Sequence, residues 1–180
     1  MVSRRSNSPQ RSLRKTSRVP EVVADTSPVQ YLYQANVLHI LPQLYGRVTI
    51  PEVVAYELGQ GLARGTALPD PGQLPWMSVR QVLGQTLLPL VTNLGPGERE
   101  VLALAKEAPE SLALLDDALA RRYARFLGIG FTGTLGVLLK AKQSGYLPRV
   151  VPLLDRLESL RFRLDQGTRQ AVPVIAGEAS

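Results

Sequence analysis

An α/β fold, with a mainly parallel sheet covered by helices on both faces, is what this 180-residue chain predicts. Two observations carry that prediction. Short β-branched or apolar runs alternate with longer segments whose apolar residues recur every three or four positions. Acidic residues also stand where strands give way to helices or where helices begin, and open α/β sheets bind ligands at the carboxyl ends of their strands. There is no internal repeat.

The composition narrows the possibilities. The apolar fraction of 44% is enough for an ordinary core, and the length suits one domain with tails. The absence of cysteine excludes disulfides, thiolate zinc sites and cysteine nucleophiles, and it fits a reducing, cytoplasmic setting. No apolar run approaches the roughly 18 residues of a membrane-spanning helix, so no membrane partner is expected. The net charge of +6 comes from one end. Arg4, Arg5, Arg11, Arg14, Lys15 and Arg18 lie in residues 1–20 without a single acid, and the remaining 15 basic residues balance 15 acidic ones. This Arg/Ser-rich stretch lacks a signal-peptide core and reads as a disordered tail with weak attraction for nucleic acid. The expected organisation is a tail at 1–20, a domain at 21–165, and a C-terminal tail or short helix at 166–180.

The first strand is the β-branched run Val22–Ala24, which climbs to Asp25. Ser27 is a good N-cap for the helix that follows, and Pro28 suits its first position, so Asp25 is not needed for capping. Its carboxylate either tightens an Asx-turn or faces a ligand. Pro28–Leu44 carries one apolar stripe, Tyr31, Leu32, Ala35, Leu38 and Leu41, over one or two helices, with Asn36 able to cap the second. His39, the only histidine, falls within that pattern and reads as a half-buried helix residue, without a companion histidine or cysteine for a metal. After Gly46, Arg47–Ile50 is a strand and Pro51 opens a helix whose Val54, Leu58 and Leu62 face the core. Glu57 borders that stripe. Only Glu52, Glu57 and Asp70 are acidic between Asp25 and Glu98, so an acid at an apolar edge is informative.

Glycines and prolines make 59–75 a loop, and Trp76–Gln81 reads as an edge strand. The apolar stretch 85–94 is interrupted by Pro89, and Gly95-Pro96-Gly97 marks a break. Glu98–Ala108 is a helix with Val101, Leu104, Ala105 and Ala108 on one face. Ser111–Leu115 is a buried strand ending in Asp116-Asp117, Ala118–Leu127 a helix stopped by Gly128, and Ile129–Phe131 a strand. Thr132-Gly133-Thr134-Leu135-Gly136 leads into the helix Val137–Gln143, where Thr132 and Thr134 read as capping residues. Val150–Leu160 is the last long helix.

Asp25 and Asp116/Asp117 follow strands of one parallel sheet and so share one edge; Glu98/Glu100 and Glu57 are helical candidates for the same crevice. Carboxylates about 4 Å apart repel by about 4 kcal/mol at an effective dielectric near 20, so such a cluster requires protons or a dication. Oxygen donors without His or Cys select hard cations such as Mg²⁺ or Mn²⁺, and such a site suits phosphodiester hydrolysis. Nucleophilic acyl transfer has no identifiable Ser–His pair, and no phosphate-binding glycine loop with its lysine is present. Within each acidic pair the assignment stays open. Glu98 lies nearer the apolar stripe than Glu100, and of Asp116 and Asp117 one would face the crevice while the other caps the helix. Arg121, Arg122 and Arg125 follow on one helix, either as a phosphate-gripping patch or as a solvated face.

Val-Ala-Asp25-Thr-Ser-Pro, Ile50-Pro51-Glu-Val-Val with Glu57-Leu, Gly97-Glu98-Arg-Glu100-Val-Leu-Ala-Leu-Ala, Leu115-Asp116-Asp117 with Leu119-Ala120, and Gly133-Thr134-Leu135-Gly136-Val occur in order over about residues 21–165. Together they resemble the PIN domain, closest to its VapC-like branch of toxin ribonucleases and their relatives. The resemblance implies a three-layer α/β/α sandwich and a Mg²⁺- or Mn²⁺-dependent endoribonuclease, of the kind that serves as toxin in a toxin–antitoxin pair. It implies RNA as substrate, a small antitoxin protein as partner and a homodimer. By position, Asp25, Glu57, Glu98 and Asp116 would be catalytic, and Asp25, Glu98 or Glu100, and Asp116 or Asp117 would hold metal. The sequence departs from many such toxins in carrying glutamate at the third acidic position and in lacking Thr-x-Asp at the fourth. A catalytically inactive PIN fold that binds RNA or protein is the alternative.

Overall fold

The computed structural model describes residues 20–84, 93–108 and 110–178. The basic tail and most of the apolar 85–94 stretch lie outside them. Five strands form one all-parallel sheet: β1 (Val22–Ala24), β2 (Val48–Pro51), β3 (Met77–Arg80), β4 (Leu112–Leu114) and β5 (Gly130–Thr132), in the order β3-β2-β1-β4-β5. This is the predicted α/β architecture, a sheet flanked by helices.

The order follows from the connections. From β1 the chain winds outward to β2 and β3, then returns through α4 (Pro96–Glu107) to place β4 on the other side of β1. The register pairs Val22 with Leu112 and Ala24 with Leu114, and the Asp25 N–H extends the ladder by donating to Leu114 O at 3.1 Å. β1 is central and fully buried, as its unbroken apolar run requires. Because parallel crossovers are right-handed, the reversal between β1 and β4 puts α4 and α5 (Ala118–Phe126) on one face and α1 (Thr26–Gln34), α2 (Ile40–Tyr45) and α6 (Thr134–Gln143) on the other. That reversal opens a crevice at the carboxyl ends of β1 and β4.

Several local expectations are corrected. Helix α1 begins at Thr26, so its N-cap position belongs to Asp25, not Ser27, and Pro28 sits in the first turn, where its missing N–H is still not needed. Asn36 does not cap α2; it adopts φ +59° in the turn after α1, a left-handed conformation that asparagine tolerates. His39 is exposed at the start of α2, not half-buried. Helix α3 (Glu52–Ala63) runs through Gly59 and Gly61, where a loop was expected. Each glycine costs about 1 kcal/mol there, but burying Val54 and Leu58 returns about 1.5–3 kcal/mol apiece. Leu62, expected in the core, faces solvent beyond that buried pair. Gly95 and Pro96 do not break the chain but start α4, as N-cap and first residue. Two further helices, α7 (Val151–Ser159) and α8 (Gln166–Ile175), close the chain. Glu178 returns to the start of α7 and accepts hydrogen bonds from Val150 and Val151 N–H.

Candidate active site

Asp25 is placed by backbone geometry alone. It directly follows the central strand, is 4% exposed, and has α1 leaving at once. Its carboxyl is raised to about 7, first by burial and then by the charges of Glu98 and, less strongly, Glu57. The Thr26 and Ser27 amides offset part of this, although neither makes a well-formed capping bond. The first turn of α4 presses close: a Cβ on Gly97 would lie 2.6 Å from Asp25 Oδ1, 3.3 Å from Glu57 Oε2 and 3.5 Å from Val54 Cγ2. Only a glycine lets α4 approach both carboxylates.

Glu57 and Glu98 each lean on a neighbour. Thr26 Oγ1 donates a short hydrogen bond to Glu57 Oε2, tying α1 to α3 beside Asp25. Glu98, in the first turn of α4, folds its carboxylate back over Gly95. Glu100 lies on the same helix, but the charge that acts on Asp25 is that of Glu98.

Across the crevice, Asp116 is held differently. Its Oδ1 accepts the Thr134 N–H at 2.8 Å, its Oδ2 the Thr134 hydroxyl at 2.6 Å, and Arg121 Nη2 stands 3.3 Å from Oδ1. Arg121 Nε also donates to Leu115 O at 2.7 Å, which fixes the guanidinium. Burial raises the Asp116 pKa, while Thr134 and then Arg121 pull it back. Asp117 caps α5 through the Ala120 N–H at 2.7 Å. Thr134 does not cap its own helix as expected; Gly133 takes the N-cap position and Asp116 supplies the acceptor from the neighbouring loop.

The three arginines do not form one patch. Arg121 turns inward to Asp116, Arg125 stacks 5.6 Å from the centre of the Phe131 ring, and Arg122 is exposed beside Leu119, Tyr123 and Phe126. The roles of Thr26, Gly97 and Gly133 go beyond the sequence expectation, although all three lie within the PIN-like motifs. Thr26 adjoins Asp25 and Gly97 adjoins Glu98, so proximity to candidate acids was the available signal.

A family model described as a PIN domain matches residues 21–178. The chain belongs to the PIN-domain family. PIN domains are generally nucleases; they act on nucleic acid and typically use divalent metals. Two curated relatives are partly similar, adenine phosphoribosyltransferases from Anaeromyxobacter dehalogenans strains 2CP-C and 2CP-1, at 35% and 34% identity over 103 residues. Those matches cover 52% of this chain and 56% of each relative, so the chain spans about half the length of the curated relatives it matches. No solved structure matches it.

Among the described residues no three acidic or histidine side chains are gathered closely enough to hold a metal ion. The chemistry of the PIN site still fits a hard dication. Its donors are all oxygen, and Asp25 carries repulsion from two other carboxylates that a dication would relieve. No described helix is long and apolar enough to cross a membrane.

Proposed function

We propose that this PIN domain is a metal-dependent endoribonuclease, with Asp25 and Glu98 as the principal holders of Mg²⁺ or Mn²⁺ and Asp116 facing them across the crevice. The observation that carries this reading is Asp25: a buried carboxyl at the reversal of the sheet, raised to about 7 by burial and by Glu98 and Glu57. A fold holds such a group at a cost, and binding a dication is the use that recovers it. When bound, the ion supplies Lewis-acid polarisation of the scissile phosphate and lowers the pKa of an attacking water. The chain's own part is positional. Thr26 orients Glu57, Gly97 brings α4 against both acids, and Thr134 with Arg121 fixes the Asp116 carboxylate. Below about pH 7 Asp25 holds a proton that metal binding must displace, so affinity rises with pH up to that point. The toxin role, the antitoxin partner and the homodimer rest on the VapC-like resemblance alone.

A calorimetric Mn²⁺ titration beside a cleavage assay on single-stranded RNA tests the proposal. Wild type is expected to bind Mn²⁺, to gain about 2.7 kcal/mol of stability at a 100-fold excess over its dissociation constant, and to cut RNA in a manner abolished by EDTA. Asp25→Asn loses most of the binding and nearly all of the cleavage. One observation favours a second reading, a PIN fold that binds RNA or protein without cutting: the acids are not gathered into a ligand set among the described residues. Absence of both Mn²⁺ binding and cleavage in wild type selects that reading.

A further inference from the structure

A groove of about 520 Å³ is lined by Thr26, Gln30, Tyr56, Glu57, Gln60 and Arg64, among others, so it opens directly onto the Glu57 carboxylate. That volume falls in the range of about 300–1,000 Å³ usual for small-ligand sites. One wall is held by the loop after α3. Gln34 Nε2 donates to Ala67 O at 3.1 Å, Thr66 N–H donates to Gly61 O at 3.0 Å, and Leu68 packs where a side chain at position 61 would stand. Leu68 thus accounts for the glycine at position 61 of α3.

The lining is suited to one kind of ligand. Tyr56 is 66% exposed, a large aromatic face set one residue from Glu57. Gln30 and Gln60 offer both donors and acceptors, and Arg64 makes no ion pair among the described residues. An aromatic face, amides and a guanidinium in one groove match a base, its polar edge and a phosphate. We propose that this groove is a subsite for one unpaired nucleotide of the strand to be cut, in which Tyr56 stacks on the base, Gln30 and Gln60 contact its edge, and Arg64 takes a neighbouring phosphate. The inference rests on the nuclease reading for the word "cut", but the binding it describes does not need catalysis.

The test is fluorescence anisotropy of the full chain with a labelled single-stranded oligoribonucleotide in EDTA, with the same sequence as a duplex for comparison. Tyr56→Ala is expected to weaken single-strand binding about tenfold, and Tyr56→Phe to restore it, because stacking needs the ring and not the hydroxyl. Arg64→Ala should reduce the slope of log affinity against log salt by about 0.7. Wild type should prefer the single strand, whose bases are free to stack. Unchanged single-strand binding by Tyr56→Ala, equal binding of the duplex, or no binding by wild type would each overturn the subsite. Tyr56-dependent binding without any Mn²⁺-dependent cleavage would instead sink the nuclease reading and leave the subsite standing.

Discussion

Asp25 and Asp116 end neighbouring strands of one sheet, yet they are supported in opposite ways. Asp116 receives two hydrogen bonds from Thr134 and the charge of Arg121, so burial, which still raises its pKa, is partly offset by groups of the fold itself. Asp25 receives only partial help from the Thr26 and Ser27 amides and is pushed up to about 7 by burial and two like charges. Donors stand around one buried carboxylate and further acids around the other. A buried acid that the structure satisfies contributes to stability, whereas one surrounded by acids weakens the apo protein. Each nevertheless has a glycine pressed against it: Gly97 on Asp25 and Gly133 on Asp116.

The largest effect expected from this contrast is on stability against pH. Folded Asp25 keeps its proton up to about pH 7, while in the unfolded chain it ionises near 3.8. The unfolded state therefore binds fewer protons across that interval, and stability falls as pH rises through it. Asp25→Asn removes this penalty. In EDTA the variant should match wild type near pH 4 and exceed it above pH 7, by on the order of 4 kcal/mol, measured by urea melts across the range. A variant that melts far below wild type at neutral pH would make Asp25 a structural turn residue and erase the contrast.

The two glycines come next. A Cβ on Gly133 would lie 2.8 Å from Leu115 O and 2.6 Å from Asp116 Oδ1, besides colliding with Arg121. Gly133→Ala should cost about 3 kcal/mol in thermal melts, because a backbone oxygen cannot move aside. Gly97→Ala meets side-chain atoms only, so it should cost less, while Mn²⁺ affinity falls as Asp25 is displaced.

Asp116→Ala should destabilise by about 1–3 kcal/mol in chemical denaturation, since it leaves the Thr134 N–H and hydroxyl and Arg121 Nη2 without their acceptor. Its sign is opposite to that of Asp25→Asn. The smallest effect belongs to Arg121→Met. Arg121 is 36% exposed and its pairing with Asp116 is screened, so the loss should stay below about 1 kcal/mol. Because the ion pair favours only ionised Asp116, that part of the loss should be present at neutral pH and vanish in acid, while the part from the Arg121 Nε bond to Leu115 O persists at both. Melts of the same variant at both pH values measure it.

The alternation of strands and helices, the parallel sheet, and the position of Asp25 at a strand end were all legible in the residues, since burial on both faces demands unbroken apolar strands. Asp117 as a cap and Asp116 as the inward residue was one of two arrangements the pair allowed, and backbone geometry chose between them. The start of α1, the extent of α3 and the turn at Asn36 were misread, because local propensities of about 1 kcal/mol are overruled where buried side chains return more.

The residues alone dictate that Asp25 and Asp116 stand at one edge of the sheet, because parallel topology sends every strand's carboxyl end the same way. Packing then sets which of them has donors at its side and which has further acids. That depends on what reaches them from distant segments: Thr134 and Arg121 on one side of the crevice, Glu98 and Glu57 on the other. Such partners are brought together by packing, and their charges act through space at ranges that sequence separation does not encode.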